Sequence, residues 1–277
     1  MEKEDIKKMV RERYGAIASQ DSCGCGCGPD CCGIGNTTAD AVSRGVGYSD
    51  AEMVSVPEGA NLGLGCGNPV ALASLAEGET VVDLGSGAGF DCFLAAERVG
   101  KNGRVIGVDM TAEMLAKASG NCARGGYTNV EFRLGEIENL PVADGLADAV
   151  ISNCVVNLSP DKPQVFKEVF RVLKPGGRMM VSDIVLLKTL PEFIRNSAEA
   201  YAGCVAGAML MDDYLTAINT AGFSEVNVVD DTSFPVEYLL ANPVAQSVMT
   251  NLSMTPEEIK NIVLSVRSIK VSAVKSK

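Results

Sequence analysis

The chain has no histidine and no tryptophan among its 277 residues, and aromatic residues of all kinds make up only 5% of it. Without histidine there is no imidazole to ligate zinc and none to serve as a general base. No apolar run approaches the ~20 residues that a membrane-crossing helix needs, so no membrane partner is expected. Basic charge is scarce: the formal net charge is −11, which argues against nucleic acid and anionic lipid surfaces as partners. The opening Met1-Glu2-Lys3-Glu4-Asp5 is too charged for a secretory leader, and a cytoplasmic protein is expected. What the chain does have is cysteine, ten residues of it. In a reducing compartment that many thiols point to metal, metalloid or redox chemistry rather than to a disulfide framework. Apolar residues form 47% of the chain, enough for one sizeable α/β core.

The organising stretch is Val81-Val82-Asp83-Leu84-Gly85-Ser86-Gly87-Ala88-Gly89-Phe90-Asp91. It reads as a buried strand, a glycine turn and a helix start, a unit that places a ligand at the carboxyl end of the strand. The glycines at 85, 87 and 89 do not fit the dinucleotide fingerprint, and the Gly-Lys-Ser/Thr of a phosphate loop is absent. The pattern resembles instead the first motif of S-adenosylmethionine (SAM) methyltransferases. A second acid, Asp109, closes the apolar run Val105 to Val108 and stands where a carboxylate meets the hydroxyls of a ribose. A glycine loop alone is a weak signal. The loop together with the second acid is a much stronger one.

Alternation of strands and helices follows: strand 80–84, helix 90–99, strand 104–109, helix 112–123, strand 129–134, strand 147–153, helix 161–173 and strand 178–184. Lys174-Pro175-Gly176-Gly177 reads as a sharp stop between the last two. Segments 225–229 and 268–274 read as a final antiparallel pair, with helical excursions between them, and Pro191 to Gly207 looks helical. Upstream, residues 5–18 form a helix with Ile6, Met9, Val10, Tyr14 and Ile17 on one face. It is either a docking helix or a lid with Tyr14 against the ligand.

Cysteines occur in two settings. Five fall within residues 23–32, between glycines that make a mobile loop. The adjacent pair and C-x-C spacing lack the separated knuckles of structural zinc and suit a soft thiophilic ion or thiol–disulfide exchange. The bland alternative is a dispensable flexible loop. Cys66, in Pro57 to Pro69, is flanked by glycines and is expected to be more accessible than the usual buried cysteine.

Four stretches carry a family resemblance: Gly63-Leu64-Gly65-Cys66-Gly67-Asn68-Pro69, the loop Asp83 to Asp91, Ser152-Asn153-Cys154-Val155-Val156-Asn157-Leu158 and Tyr201-Ala202-Gly203-Cys204. On these the chain closely resembles the microbial arsenite SAM-methyltransferases from about Val10 onward; the first and third stretches are the most diagnostic. The resemblance implies the class I methyltransferase fold, an α/β Rossmann-like doubly wound sheet, mostly parallel with an antiparallel last strand. To this are added a Cys-rich N-terminal segment (1–60) and a C-terminal substrate-binding part with helical insertions (188–277) around a SAM-binding domain (61–187). It implies SAM contacts from Asp83, Gly85, Gly87, Gly89, Asp109, Met110, Gly135, Glu136, Ile137 and Asn153. It also implies that Cys66, Cys154 and Cys204 hold or relay trivalent arsenic, together with one cysteine of the N-terminal cluster, which the sequence leaves open among Cys23, Cys25, Cys27, Cys31 and Cys32, Cys32 being carried as a site residue.

The implied chemistry is coherent. Thiolate-bound trivalent arsenic keeps a lone pair that can attack the sulfonium methyl in line, so no general base is needed and the lack of histidine does no harm. Methyl transfer oxidises arsenic, so cysteines that pair, reset by a small thiol or a thioredoxin-like protein, are expected to supply electrons. Two other readings stay open: a SAM methyltransferase for an organic small molecule, and a thiol-based metalloid sequestration or sensing protein.

Overall fold

The computed structural model describes residues 2–19, 34–195, 201, 204–233, 262 and 264–277, with the side chains at 34–38, 71, 72 and 193 left aside. Strand β1 (Thr80–Leu84) lies between β2 (Arg104–Asp109) and β4 (Ala147–Asn153), both parallel to it. With β3 (Val130–Leu134), β5 (Leu173–Leu186), β6 (Ser224–Ser233) and β7 (Val266–Val274) the sheet has seven strands in the order β3-β2-β1-β4-β5-β7-β6. β7 alone runs against its neighbours, antiparallel to β5 and β6. The expected mostly parallel doubly wound sheet is therefore present.

Alternate residues face opposite layers. Val82, Leu84, Ile106, Val108 and Val150 pack under helices α7 (Lys162–Val172) and α9 (Met211–Thr220). Val81, Val105, Ala149 and Ile151 pack under α4 (Pro69–Leu72) and α5 (Phe90–Val99). Burial on both faces explains why the strands read as continuous apolar runs. Further helices are α1 (Lys3–Ser19), α2 (Ile34–Gly45), α3 (Asp50–Ser55), α6 (Ala112–Gly125) and the short α8 (Glu192–Arg195). α3 is set by a capping box in which Ser49 and Glu52 bond reciprocally. Among the described residues no helix is long and apolar enough to cross a membrane.

Three expectations need correction. The helix stops where expected, at Val172, but the strand does not wait until 178: β5 begins at once at Leu173, and Lys174 to Gly177 form a bulge opposite Ala147 to Ala149. β5 also runs beyond 184, because β7 supplies partners as far as Leu186↔Val266. Cys204 lies in no helix. It sits in a turn closed by its N–H to the Tyr201 carbonyl (2.9 Å), with a left-handed φ of 63° that no α-helix accommodates. The helical excursions expected at 235–266 fall largely outside the described residues.

The 3₁₀ turn after β4 (Val156–Leu158) meets β5 through Asp183. This carboxylate is fully buried and accepts from Asn157 Nδ2 (2.8 Å), the Ile184 N–H (3.0 Å) and the Tyr214 hydroxyl (3.1 Å). Burial pushes its pKa up to about 7 from 3.8. At pH below the unfolded value the group is protonated folded and unfolded, and contributes no pH dependence. Between about 4 and 7 only the unfolded chain gives up the proton, so stability falls as pH rises. Asp183→Asn, with Tyr214 able to turn its hydroxyl and accept, should gain stability relative to the parent across that window by on the order of 2 kcal/mol, read by denaturant titration at both ends.

Candidate active site

The strand order reverses between β1 and β4, which opens a crevice at their carboxyl ends. The loop after β1 lines it. Gly85 and Gly87 have φ of 63° and 53°. A Cβ on Gly85 would collide with Val155, whereas one on Gly87 would meet nothing within 4 Å, so this glycine leaves the main chain open to an approaching ligand. Asp109 braces the loop: Oδ2 accepts from the Gly87 N–H (3.0 Å) and Oδ1 from that of Thr111 (2.8 Å). Each oxygen keeps acceptor capacity for a ligand hydroxyl. Ser86 Oγ, on the same wall, is buried and has no hydrogen-bond partner among the described residues.

The resulting cavity, open to solvent on one side, is roofed by Lys7, Val10 and Tyr14 of α1 and by the loop Leu62 to Gly65. Asp83, Gly85, Gly87, Asp109, Met110, Gly135, Ile137 and Asn153 line it; Gly89 and Glu136 do not. Gly89 caps α5 and packs on Phe93 and Phe132. Glu136 turns outward to α1 and pairs with Lys7 (2.7 Å) and Arg11 (3.4 Å). Sequence reasoning also missed Tyr48, whose hydroxyl donates to Asp91 Oδ1 at 2.6 Å inside the same wall. No periodicity marks it, since it lies between two short helices. Asp83 and Asp91 face each other in this wall, and burial raises both pKa values.

Beside the cavity the sulfurs gather in an apolar cluster. Cys66, Cys154 and Cys204, each 6% exposed, pack with Val10, Leu158, Ile184 and Tyr201. Cys154 also lines the cavity. Two of the three are bonded to each other: Cys66 and Cys154 form a disulfide, with Cα atoms 5.7 Å apart and a sequence separation of 88. Cys204 is a free thiol that reaches the Cys154 carbonyl at 3.1 Å. Burial pushes its pKa up to about 12, although Tyr14 donates to its sulfur. Three independent thiolates are therefore not what this structure holds; it holds an oxidised pair and one thiol. The accessibility expected for Cys66 is also wrong. Its flanking glycines serve close packing: a Cβ at 67 would overlap Ser182, and one at 65 would lie 2.5 Å from Asn153 Nδ2. Cys32 and the rest of the 23–32 cluster lie outside the described residues.

Residues 75–222 match the family model described as a methyltransferase domain. Arsenite methyltransferase from Halobacterium salinarum is 52% identical over 231 residues, 81% of this chain and 59% of that protein. The enzyme of the same name from Aquipseudomonas alcaligenes is 42% identical over 174 residues, covering 60% of this chain and 50% of its own length. A solved arsenic(III) S-adenosylmethionine methyltransferase from Chlamydomonas reinhardtii is 31% identical, with a TM-score of 0.62 over 85% of this chain and 73% of that one. The chain belongs to the arsenic(III) S-adenosylmethionine methyltransferase family. It spans between half and three-fifths of the length of these curated relatives.

The family membership turns attention to the sulfur pair. Its bridge closes a loop of 88 residues, and such a closure stabilises a fold by about 4 to 5 kcal/mol in the chain-entropy account. Cys66→Ser and Cys154→Ser should each lose about 4 kcal/mol in non-reducing denaturant titrations, and the double variant no more than either, because one bond is lost in all three. Peptide mapping without reductant should recover the two cysteines in one linked fragment.

Proposed function

We propose that the chain transfers the methyl group of SAM to thiolate-bound trivalent arsenic. One observation carries the reading: Cys154 belongs both to the wall of the cavity and to the buried sulfur cluster, so a metalloid held there faces a ligand held at the glycine loop. The cavity fits SAM by its own features. Asp109 offers acceptors to the ribose, Gly87 leaves its main chain open, and the orphaned Ser86 hydroxyl awaits a partner. Asp83 and Asp91 line the same cavity, and the approach of a cationic sulfonium would favour their ionised forms against the burial that now holds their pKa values up.

In the reduced state Cys66, Cys154 and Cys204 present three thiols in one apolar site, which suits a soft ion. Arsenic bound to three sulfurs attacks the sulfonium methyl with its lone pair. The As–C bond forms, the S–CH₃ bond breaks with its electrons going to sulfur, and arsenic rises to the pentavalent state. Two thiolates then leave as a disulfide, their two electrons return arsenic to the trivalent state, and a thiolate of a small thiol (or hydroxide from water) takes the vacated position, giving neutral monomethylated arsenic with one protein sulfur still bound. The Cys66–Cys154 bridge is the product such a step leaves behind. A small thiol or a thioredoxin-like protein reopens it by exchange, in keeping with a cytoplasmic setting. Cys32 is retained as a loading or relay residue, and the 1–60, 61–187 and 188–277 division as one of roles.

Products analysed by mass spectrometry after incubation with SAM, arsenite and thiol test the reading. Methylated arsenic is expected; methylated organic acceptors, or no product, would replace it with the other two readings. Cys154→Ser and Cys204→Ser should keep SAM affinity and lose at least about 100-fold in arsenite methylation, since a neutral hydroxyl ligates a soft ion poorly. Activity retained in both would remove the thiolate site. Calorimetry should show Gly87→Val and Asp109→Ala binding SAM about tenfold or more weakly, the first by filling the open space and the second by removing ribose acceptors.

A further inference from the structure

Asn153, the last residue of β4, borders the cavity, yet its side-chain amide is already spent on the protein. Oδ1 accepts from the Cys66 N–H (2.9 Å). Nδ2 donates to the Gly67 carbonyl (2.8 Å) and to the Tyr48 hydroxyl (2.8 Å), with Asp91 Oδ2 at 3.1 Å. One donor on one side and acceptors on the other fix which way the amide points. It thereby grips the N–H of Cys66 and the carbonyl of the next residue, while Ser268 Oγ donates to the Cys66 carbonyl (2.9 Å). The approach is close enough that residue 65 must be glycine, although φ there is not left-handed. Through the chain, Asn153 also leads directly into Cys154, whose N–H is held by the Ser182 carbonyl (2.8 Å).

We propose that Asn153 is a positioning residue for the sulfur pair: its amide seats the Cys66 loop so that the Cys66 thiol meets Cys154, with Tyr48 and Asp91 orienting the amide from the cavity wall. The proposal gives Asn153 a part in the redox half of the reaction, resting on the reading that the Cys66–Cys154 pair supplies electrons there. It removes Asn153 from the direct SAM ligands expected from sequence.

The test needs neither SAM nor arsenic, so it stands apart from a test of methyl transfer. Full-length protein is equilibrated in glutathione redox buffers, and the fraction bridged at Cys66–Cys154 is read by alkylation and mass spectrometry. Asn153→Ala should lower the equilibrium constant for bridge formation by about tenfold or more, the scale of one or two lost hydrogen bonds. Gly65→Ala, which drives a methyl into the amide, should lower it as well, and should cost almost nothing further in the Asn153→Ala background. An equilibrium constant within about twofold of the parent in Asn153→Ala, or additive effects of the two changes, overturns the proposal. A loss of SAM affinity with an unchanged bridge overturns it too and returns Asn153 to the cofactor ligands. Should Asn153→Ala fail to fold, Tyr48→Phe, which removes one acceptor and keeps the ring, is expected to lower the constant by about threefold, and no change there overturns the proposal.

Discussion

β1 and β4 pair in parallel with Leu84 opposite Ser152, and the chemistry of the molecule depends on that register. One residue beyond Leu84 the glycine loop begins; two residues beyond Ser152 stands Cys154. Gly85 must be glycine because Val155, next to that cysteine, packs against it. Ligand loop and sulfur cluster are thus built on adjacent ends of buried strands. For the proposed reaction, which needs no proton transfer from the nucleophile, such alignment would be the protein's main contribution, and rigid elements supply it better than loops do.

Burial does a second job at the sulfurs. In an apolar cluster a thiolate is costly, and Cys204 keeps its proton well past neutrality. A hard cation gains little from such a site. A soft ion that bonds strongly to sulfur displaces the proton and is matched to the surroundings. Cys154 and Cys204 both hold left-handed backbone, with φ of 60° and 63°, at a cost of about 1 to 2 kcal/mol each. Backbone bonds from Cys154 to Ser182 and from Cys204 to Tyr201 keep them there. Strain of this kind is sustained only where the surroundings over-determine it.

Helix α1 completes the site from outside the sheet. Its ion pairs, Lys3 with Asp161 and Lys7 and Arg11 with Glu136, involve partly exposed side chains and add little stability individually. What seats the helix is Val10, 1% exposed in the sulfur cluster. Tyr14, one turn on from Val10, lines the cavity and donates to the Cys204 sulfur. One helix therefore touches both halves of the site, and its apolar face was legible in the sequence while its ionic partners, over a hundred residues away, were not.

The sheet is written in the local pattern of residues. Strands buried on both faces read as apolar runs, helices as 3.6-residue stripes, and the ligand loop as glycines whose conformations no other residue adopts cheaply; all of these are local consequences of local residues. The cysteines that gather beside the cavity were also identified, through family resemblance. What those cysteines do to one another follows from how distant segments pack. Cys66 and Cys154 bond across 88 residues because β4 and the upstream loop meet at one edge. Glycines that looked like exposure at Cys66 proved to be room for Asn153 and Ser182. Glu136 pairs with Lys7 and Arg11 of α1 and does not line the cavity. Each of these outcomes is a pairing between distant segments, and a linear pattern records what a residue is but not which distant partner folding will set beside it.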